Sequence, residues 1–80
     1  MLDRDKFLYG VSVFMQENPC LRYGQAVYIT MIENYPYCID LTGKDCDCFY
    51  VDEKVNHFLD KCEERIIEEC AWHIIKILLL

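Results

Sequence analysis

Cysteine and histidine are the residues of this chain best suited to metal chemistry. The possible zinc ligands are Cys38, Cys46, Cys48 and His57, with Cys70 and His73 as a second set at helical spacing. Structural zinc sites are normally built from cysteine pairs separated by two to four residues, and the spacing of the six cysteines contains no such pair. We therefore expect reduced structural thiols with no bound metal and no cofactor. A zinc-stabilised module is the alternative.

The cysteines do not indicate covalent catalysis. A nucleophilic cysteine needs a lowered pKa and a base partner. Cys46 and Cys48 instead lie in a stretch from Asp40 to Glu53 with five acids and one lysine, and nearby carboxylates raise the pKa of a thiol. The sequence also has no glycine-rich phosphate loop and no serine nucleophile elbow. We therefore expect a protein that is not an enzyme.

The run from Arg22 to Gln25 is the most distinctive local feature. These two residues are three apart and therefore lie at neighbouring positions on a helix. The acidic loop that follows offers Asp47 and Asp52 as partners for the guanidinium, whose planar fork suits carboxylates. We predict that Arg22 pairs with Asp47 or Asp52 and ties the loop to the helix through charge-assisted hydrogen bonds. A binding site formed by the same residues is the alternative.

Charge and hydropathy argue against several classes of protein. Acids outnumber bases 14 to 8, a net charge of -6, so nucleic acid is not an expected partner because nucleic-acid-binding surfaces are basic. The start of the chain lacks the basic and apolar segments of a signal peptide. Residues 70–80 are too short and too interrupted, by His73 and Lys76, to span a bilayer. We expect a cytoplasmic protein with no membrane span, in which disulfides are the less favoured interpretation of the cysteines.

Two helices are predicted in the first half of the chain. The spacing of apolar side chains indicates a first helix over residues 3–16. Asn18 as N-cap and Pro19 at the first helical position predict a second helix over residues 19–34. The β-branched residues between Val27 and Ile32 also fit a strand, which is the competing interpretation of this segment.

The connection to the third helix is predicted to be a loop over residues 37–51. Gly43 is expected to supply a turn with positive φ, residues 47–50 a short capped turn, and Asp52 the N-cap of the third helix. At 80 residues and 9.6 kDa, the chain fits a single domain, residues 1–80. The sequence thus predicts an all-α fold, a small three-helix domain with a loop and a short helical turn between helices 2 and 3.

The third helix changes character along its length. At about 100° per residue, its apolar arc consists of Val55, Phe58, Leu59, Cys62, Ile66, Cys70, His73 and Ile77. Beyond Cys70, apolar residues also occupy the positions that carried acids or flanked the arc. These residues are Ala71, Trp72, Ile75, Leu78 and Leu79. A helix that is apolar nearly all round must be buried on every side.

Residues 71–80 are therefore predicted to be an apolar extension of the last helix that packs against another chain or crosses the middle of the fold. Exposed apolar patches of this size usually mark interfaces. The predicted interface residues are Trp72, Ile75, Leu78 and Leu79, and the predicted occupant is a protein partner or a second copy in a homo-oligomer. The alternative is a last helix, or a late strand, buried in a compact monomer.

Two runs of the sequence resemble a known group of proteins. They read Glu17-Asn18-Pro19-x-Leu21-Arg22-Tyr23-Gly24-Gln25-Ala26 and Asp47-x-Phe49-Tyr50-x-Asp52, followed by Phe58-Leu59. They are similar to the N-P-x-x-R-x-G-Q and D-P-F-Y-x-D runs of short, uncharacterised proteins from tailed bacteriophages and prophages, with Cys48 in place of the proline. The group has no established activity, so the resemblance assigns no functional residue. It implies a small accessory protein in a host cytoplasm.

Together these observations predict a small acidic, non-enzymatic module for protein interaction or self-association, of a phage accessory type. The alternative function is a phage inhibitor of a host defence complex that acts through its acidic surface. That alternative depends on the net charge and on the resemblance, since net charge informs on association more than on fold.

Overall fold

Helices account for most of the chain in the computed structural model, which describes residues 2–79. The α-helices are α1 (Arg4–Glu17), α2 (Tyr23–Asn34) and α3 (Val55–Leu79), and 3₁₀ segments at Pro36–Leu41 and Asp52–Lys54 lie between α2 and α3. These residues contain no strand, so the predicted all-α fold with a short helical turn before the last helix is confirmed. Met1 and Leu80, the outer ends of the predicted domain and of the predicted extension, lie outside the described residues.

The boundary between α1 and α2 differs from the prediction. Asn18 caps the end of α1, because its backbone N–H donates to the carbonyl of Met15 at 3.2 Å and its side-chain amide donates to the carbonyl of Phe14 at 3.0 Å. Asn18 is therefore not the N-cap of α2, and that prediction is wrong. Pro19 and Cys20 form a turn closed by the hydrogen bond from the Leu21 N–H to the Asn18 carbonyl at 3.1 Å, and α2 begins at Tyr23.

The core lies where α1, α2 and α3 meet the connecting loop. Its buried side chains are Phe7, Val11, Ala26, Val27, Met31, Cys38, Cys46, Cys48, Val55, Phe58, Leu59, Cys62 and Ile66. The contribution of α3 to this core ends at Ile66. We call residues 2–69 the body of the protein.

Ion pairs connect α3 to the rest of the body. The Arg4 guanidinium pairs with Asp60 and, at 2.6 Å, with Glu63. In the second half of the body, Arg65 pairs with Asp40 at 3.1 Å and lies over the ring of Tyr37. These contacts fix the direction in which α3 leaves the body.

The last turns of α3 extend beyond the body. A 25-residue helix is about 37 Å long, and the longest dimension of the protein is 47 Å. The radius of gyration of 13.7 Å exceeds the value of about 12 Å for a compact chain of this length. Cys70, His73 and Ile77, predicted on the core-facing arc, are therefore exposed, and a last helix buried in a compact monomer is wrong.

Candidate interaction site

The end of α3 exposes its apolar side chains to solvent. Every residue from 70 to 79, which we call the tail, is exposed. Among the predicted interface residues, Trp72 is 52% exposed, Ile75 45%, Leu78 79% and Leu79 81%. Ile74 and Ile77 are exposed as well. The structure thus places all four predicted interface residues on one projecting segment.

Two apolar series with the same spacing follow each other along α3. The first series, Val55-Leu59-Cys62-Ile66, is buried, and the second is Ile67-Ala71-Ile74-Leu78. Because the second series begins one residue after the first one ends, its stripe is rotated by about 120° around the helix. The second stripe consequently points away from the direction in which the core lies.

Ile67, Ile74 and Ile77 were not among the predicted interface residues, although all three are exposed in the structure. Ile77 was predicted on the core side of α3 because a single apolar arc was assumed for the whole helix. The one-residue offset between the two series is the sequence signal that separates the buried half of the helix from the exposed half.

A narrow polar strip runs along the remaining side of α3 from the end of the body into the tail. On the helical wheel Glu69, His73 and Lys76 lie within about 60° of one another. Lys76 Nζ lies 5.7 Å from the centre of the Trp72 ring, which is within the range of a cation–π contact. The tail therefore combines a wide apolar face with one solvated edge.

The second cluster of predicted residues lies at the junction of the loop with the start of α2. Arg22 Nη2 donates to the carbonyl of Phe49 at 2.8 Å, and Nη1 donates to the carbonyl of Tyr50 at 3.2 Å. The same Nη1 lies 3.4 Å from Asp52 Oδ1. Of the two predicted carboxylate partners, the structure brings Asp52 to the guanidinium.

Asp52 also caps α2 from a distant part of the chain. Its Oδ1 accepts the backbone N–H of Gly24 at 2.9 Å, while Gln25 Oε1 accepts the backbone N–H of Arg22 at 3.0 Å. Arg22 occupies the N-cap position but has no side-chain acceptor, so the acceptors come from Gln25 and Asp52. The prediction that Asp52 caps α3 is wrong for this reason, and α3 is preceded by a 3₁₀ turn.

Asp47 does not pair with Arg22. Its Oδ2 accepts the backbone N–H of Gly43 at 2.8 Å, and its Oδ1 accepts that of Phe49 at 2.9 Å. Gly43 has a φ of 77°, as predicted for this turn. Asp47 therefore folds the loop internally and holds the Phe49 carbonyl where Arg22 reaches it.

The cysteines contribute mainly to the core. Cys38, Cys46, Cys48 and Cys62 are buried, Cys20 and Cys70 are exposed, and all six are free thiols. The sequence predicts Cys46 and Cys48 in an acidic loop and Cys70 on the apolar arc of the third helix, whereas the structure buries the two loop thiols and exposes Cys70. The loop thiols are buried because the junction at Arg22 holds the loop against α2 and α3.

Burial makes these thiols poor nucleophiles. It raises the pKa of Cys48 to about 12 and raises the pKa of Cys46, which lies in a shallow cavity with His57. A thiol with a raised pKa carries little thiolate at neutral pH. Between residues 2 and 79, no three His, Cys, Asp or Glu side chains are grouped as metal ligands. In the same part of the chain, no helix is both long and apolar enough to cross a bilayer.

Comparison with known proteins assigns no function to the site. The sequence matches no protein-family model, and no curated protein or solved structure is significantly similar to it. The resemblance to phage proteins therefore stays a prediction, and a function for the site has to be argued from its geometry.

Proposed function

We propose that this protein is a non-enzymatic interaction module that self-associates through the exposed tail of α3. The observation that carries the proposal is the exposure of every residue of the tail, including six large apolar side chains. Leaving apolar surface in water forfeits about 25 cal/mol per Å² that burial would recover. A second copy of the same chain offers a matching apolar surface and is present wherever the protein is.

The distribution of charge supports a contact through the tail over one through the body. Residues 1–69 contain all fourteen acids and seven of the eight basic residues, a net charge of -7, whereas the tail carries Lys76 as its one charged residue. Two bodies of like charge repel each other, and the projecting tail allows apolar contact while the bodies stay apart. Salt screens this repulsion, so we expect self-association to strengthen as salt is added.

Light scattering across a dilution series tests the proposal, and Ile75→Asp is the informative variant. We expect the wild-type mass to rise with concentration above 9.6 kDa and the Ile75→Asp mass to stay at one chain. His73→Asp is the matched control, because it adds the same charge two residues away on the polar strip and should leave association unchanged. A wild-type chain that remains monomeric at every concentration and salt level contradicts self-association.

The acidic body supports a second candidate, an inhibitor that binds a basic site on a host protein complex. This candidate has the opposite salt dependence, because attraction between opposite charges weakens as salt is added. The resemblance to phage proteins supports an accessory role in a host cytoplasm under either candidate. Capture of a host complex by Ile75→Asp as well as by wild type, lost at high salt, would favour the inhibitor.

A further inference from the structure

We propose that at least three copies of the chain associate through their tails, so that each tail packs against two neighbours. This inference rests on the proposed self-association and specifies its geometry. Six large side chains form that face, namely Trp72, Ile74, Ile75, Ile77, Leu78 and Leu79.

The face is wider than one neighbouring helix covers. On the helical wheel it extends from Ile77 to Trp72 over about 220°, and the polar strip of Glu69, His73 and Lys76 occupies most of the rest. A helix that packs on one surface buries a stripe of about 100°. A two-chain pair would therefore leave more than half of the apolar arc of each tail in water.

The buried area leads to the same conclusion. With exposures of 45–81%, the six side chains offer on the order of 600 Å² for each tail. A single neighbour would cover less than half of this, or about 600 Å² in total for two chains, below the ~1,000 Å² that a specific interface needs. Two neighbours cover most of the arc, so each tail then buries up to about 600 Å², close to the ~800 Å² per partner of a standard interface.

The opposite edges of the arc provide the test. Ile77 is 72% exposed and Leu79 81% exposed, and they lie about 200° apart along the apolar arc. A single neighbouring helix can contact only one of them. Neither side chain is part of the core of its own body, so an acid at either position leaves the fold of the monomer intact, which circular dichroism can verify.

We would measure mass by sedimentation equilibrium for wild type, Ile77→Asp, Leu79→Asp and the control His73→Asp. We expect wild type to reach at least three times 9.6 kDa. Each edge variant should raise the dissociation constant by about tenfold or more, because an acid buried in an apolar contact costs at least that factor, and His73→Asp should change it by less than about twofold.

Three results would overturn the inference in distinguishable ways. A wild-type mass that saturates at two chains, or an effect confined to one of the two edge variants, overturns the three-copy geometry and leaves self-association standing. A monomer at every concentration, with the tail covered by a different protein or by a lipid surface instead, overturns both proposals.

Discussion

The loop backbone approaches α2 closely at Gly24, and replacing this residue by alanine tests the loop–helix junction directly. A Cβ at this position would overlap the carbonyl oxygen of Cys48 and lie 2.8 Å from Asp52 Oδ1. The carbonyl belongs to the loop backbone, and Asp52 Oδ1 accepts the Gly24 N–H. Neither atom can move without separating the loop from α2.

The expected loss of stability follows from these two contacts. Overpacking costs about 1–3 kcal/mol, and weakening a helix cap costs about 1 kcal/mol. The higher helix propensity of alanine offsets about 0.5–1 kcal/mol. The net destabilisation is about 1–3.5 kcal/mol. In a domain of this size each kcal/mol changes Tm by about 4–8 °C, so Gly24→Ala should lower Tm by about 4–28 °C.

Gly10 provides a matched control for the same substitution. It lies inside α1, and a Cβ there would meet no atom within 4 Å. Gly10→Ala should therefore stabilise the protein by about 0.5–1 kcal/mol and raise Tm by about 2–8 °C. Thermal unfolding followed by circular dichroism, at one protein concentration for all variants, measures both changes. Equal changes in Tm for the two variants would refute the close approach at Gly24.

Two further predictions concern the same region. Asp52→Ala removes the distant cap of α2 and the partner of Arg22, and should lower stability in urea by about 1–2 kcal/mol. The same change at Asp45, an exposed acid of the loop, should have an effect within about 0.5 kcal/mol, and equal effects would contradict the cap. Burial raises the pKa of the Cys48 thiol from 9.0 to about 12, so the unfolded chain loses this proton first, and stability should fall as pH rises from about 9 towards 12. Unfolding midpoints along this range should fall less in Cys48→Ala than in wild type, whereas Cys20→Ala, which alters an exposed thiol, should follow wild type.

Residues from two distant runs of the sequence form the loop–helix junction. The Cys48 thiol donates to the Gly24 carbonyl at 3.4 Å, beside the contact of Asp52 with the Gly24 N–H. The two runs that carry the resemblance to phage proteins therefore meet at one place in the fold. Their residue types are explained by packing and capping within the chain.

The sequence alone is sufficient to predict the all-α class and the apolar character of the end of α3. The 3–4 spacing of apolar residues fixes a helix through its 3.6-residue period, and the turn at Gly43 is closed by Asp47, four residues further along the chain. The excess of apolar side chains after Cys70 is likewise a property of the linear chain. Local patterns of this kind need no knowledge of what lies next to them in space.

Only the tertiary structure decided which partners the polar groups find and where the core ends. Asn18 and Asp52 are both good N-cap residues, but Asn18 caps the end of α1 and Asp52 caps α2 across a separation of 28 residues. A capping side chain satisfies whichever unpaired N–H or carbonyl lies within reach, and reach is set by packing. In the same way, Cys62 is buried and Cys70 is exposed on the same helix, because the body ends between them.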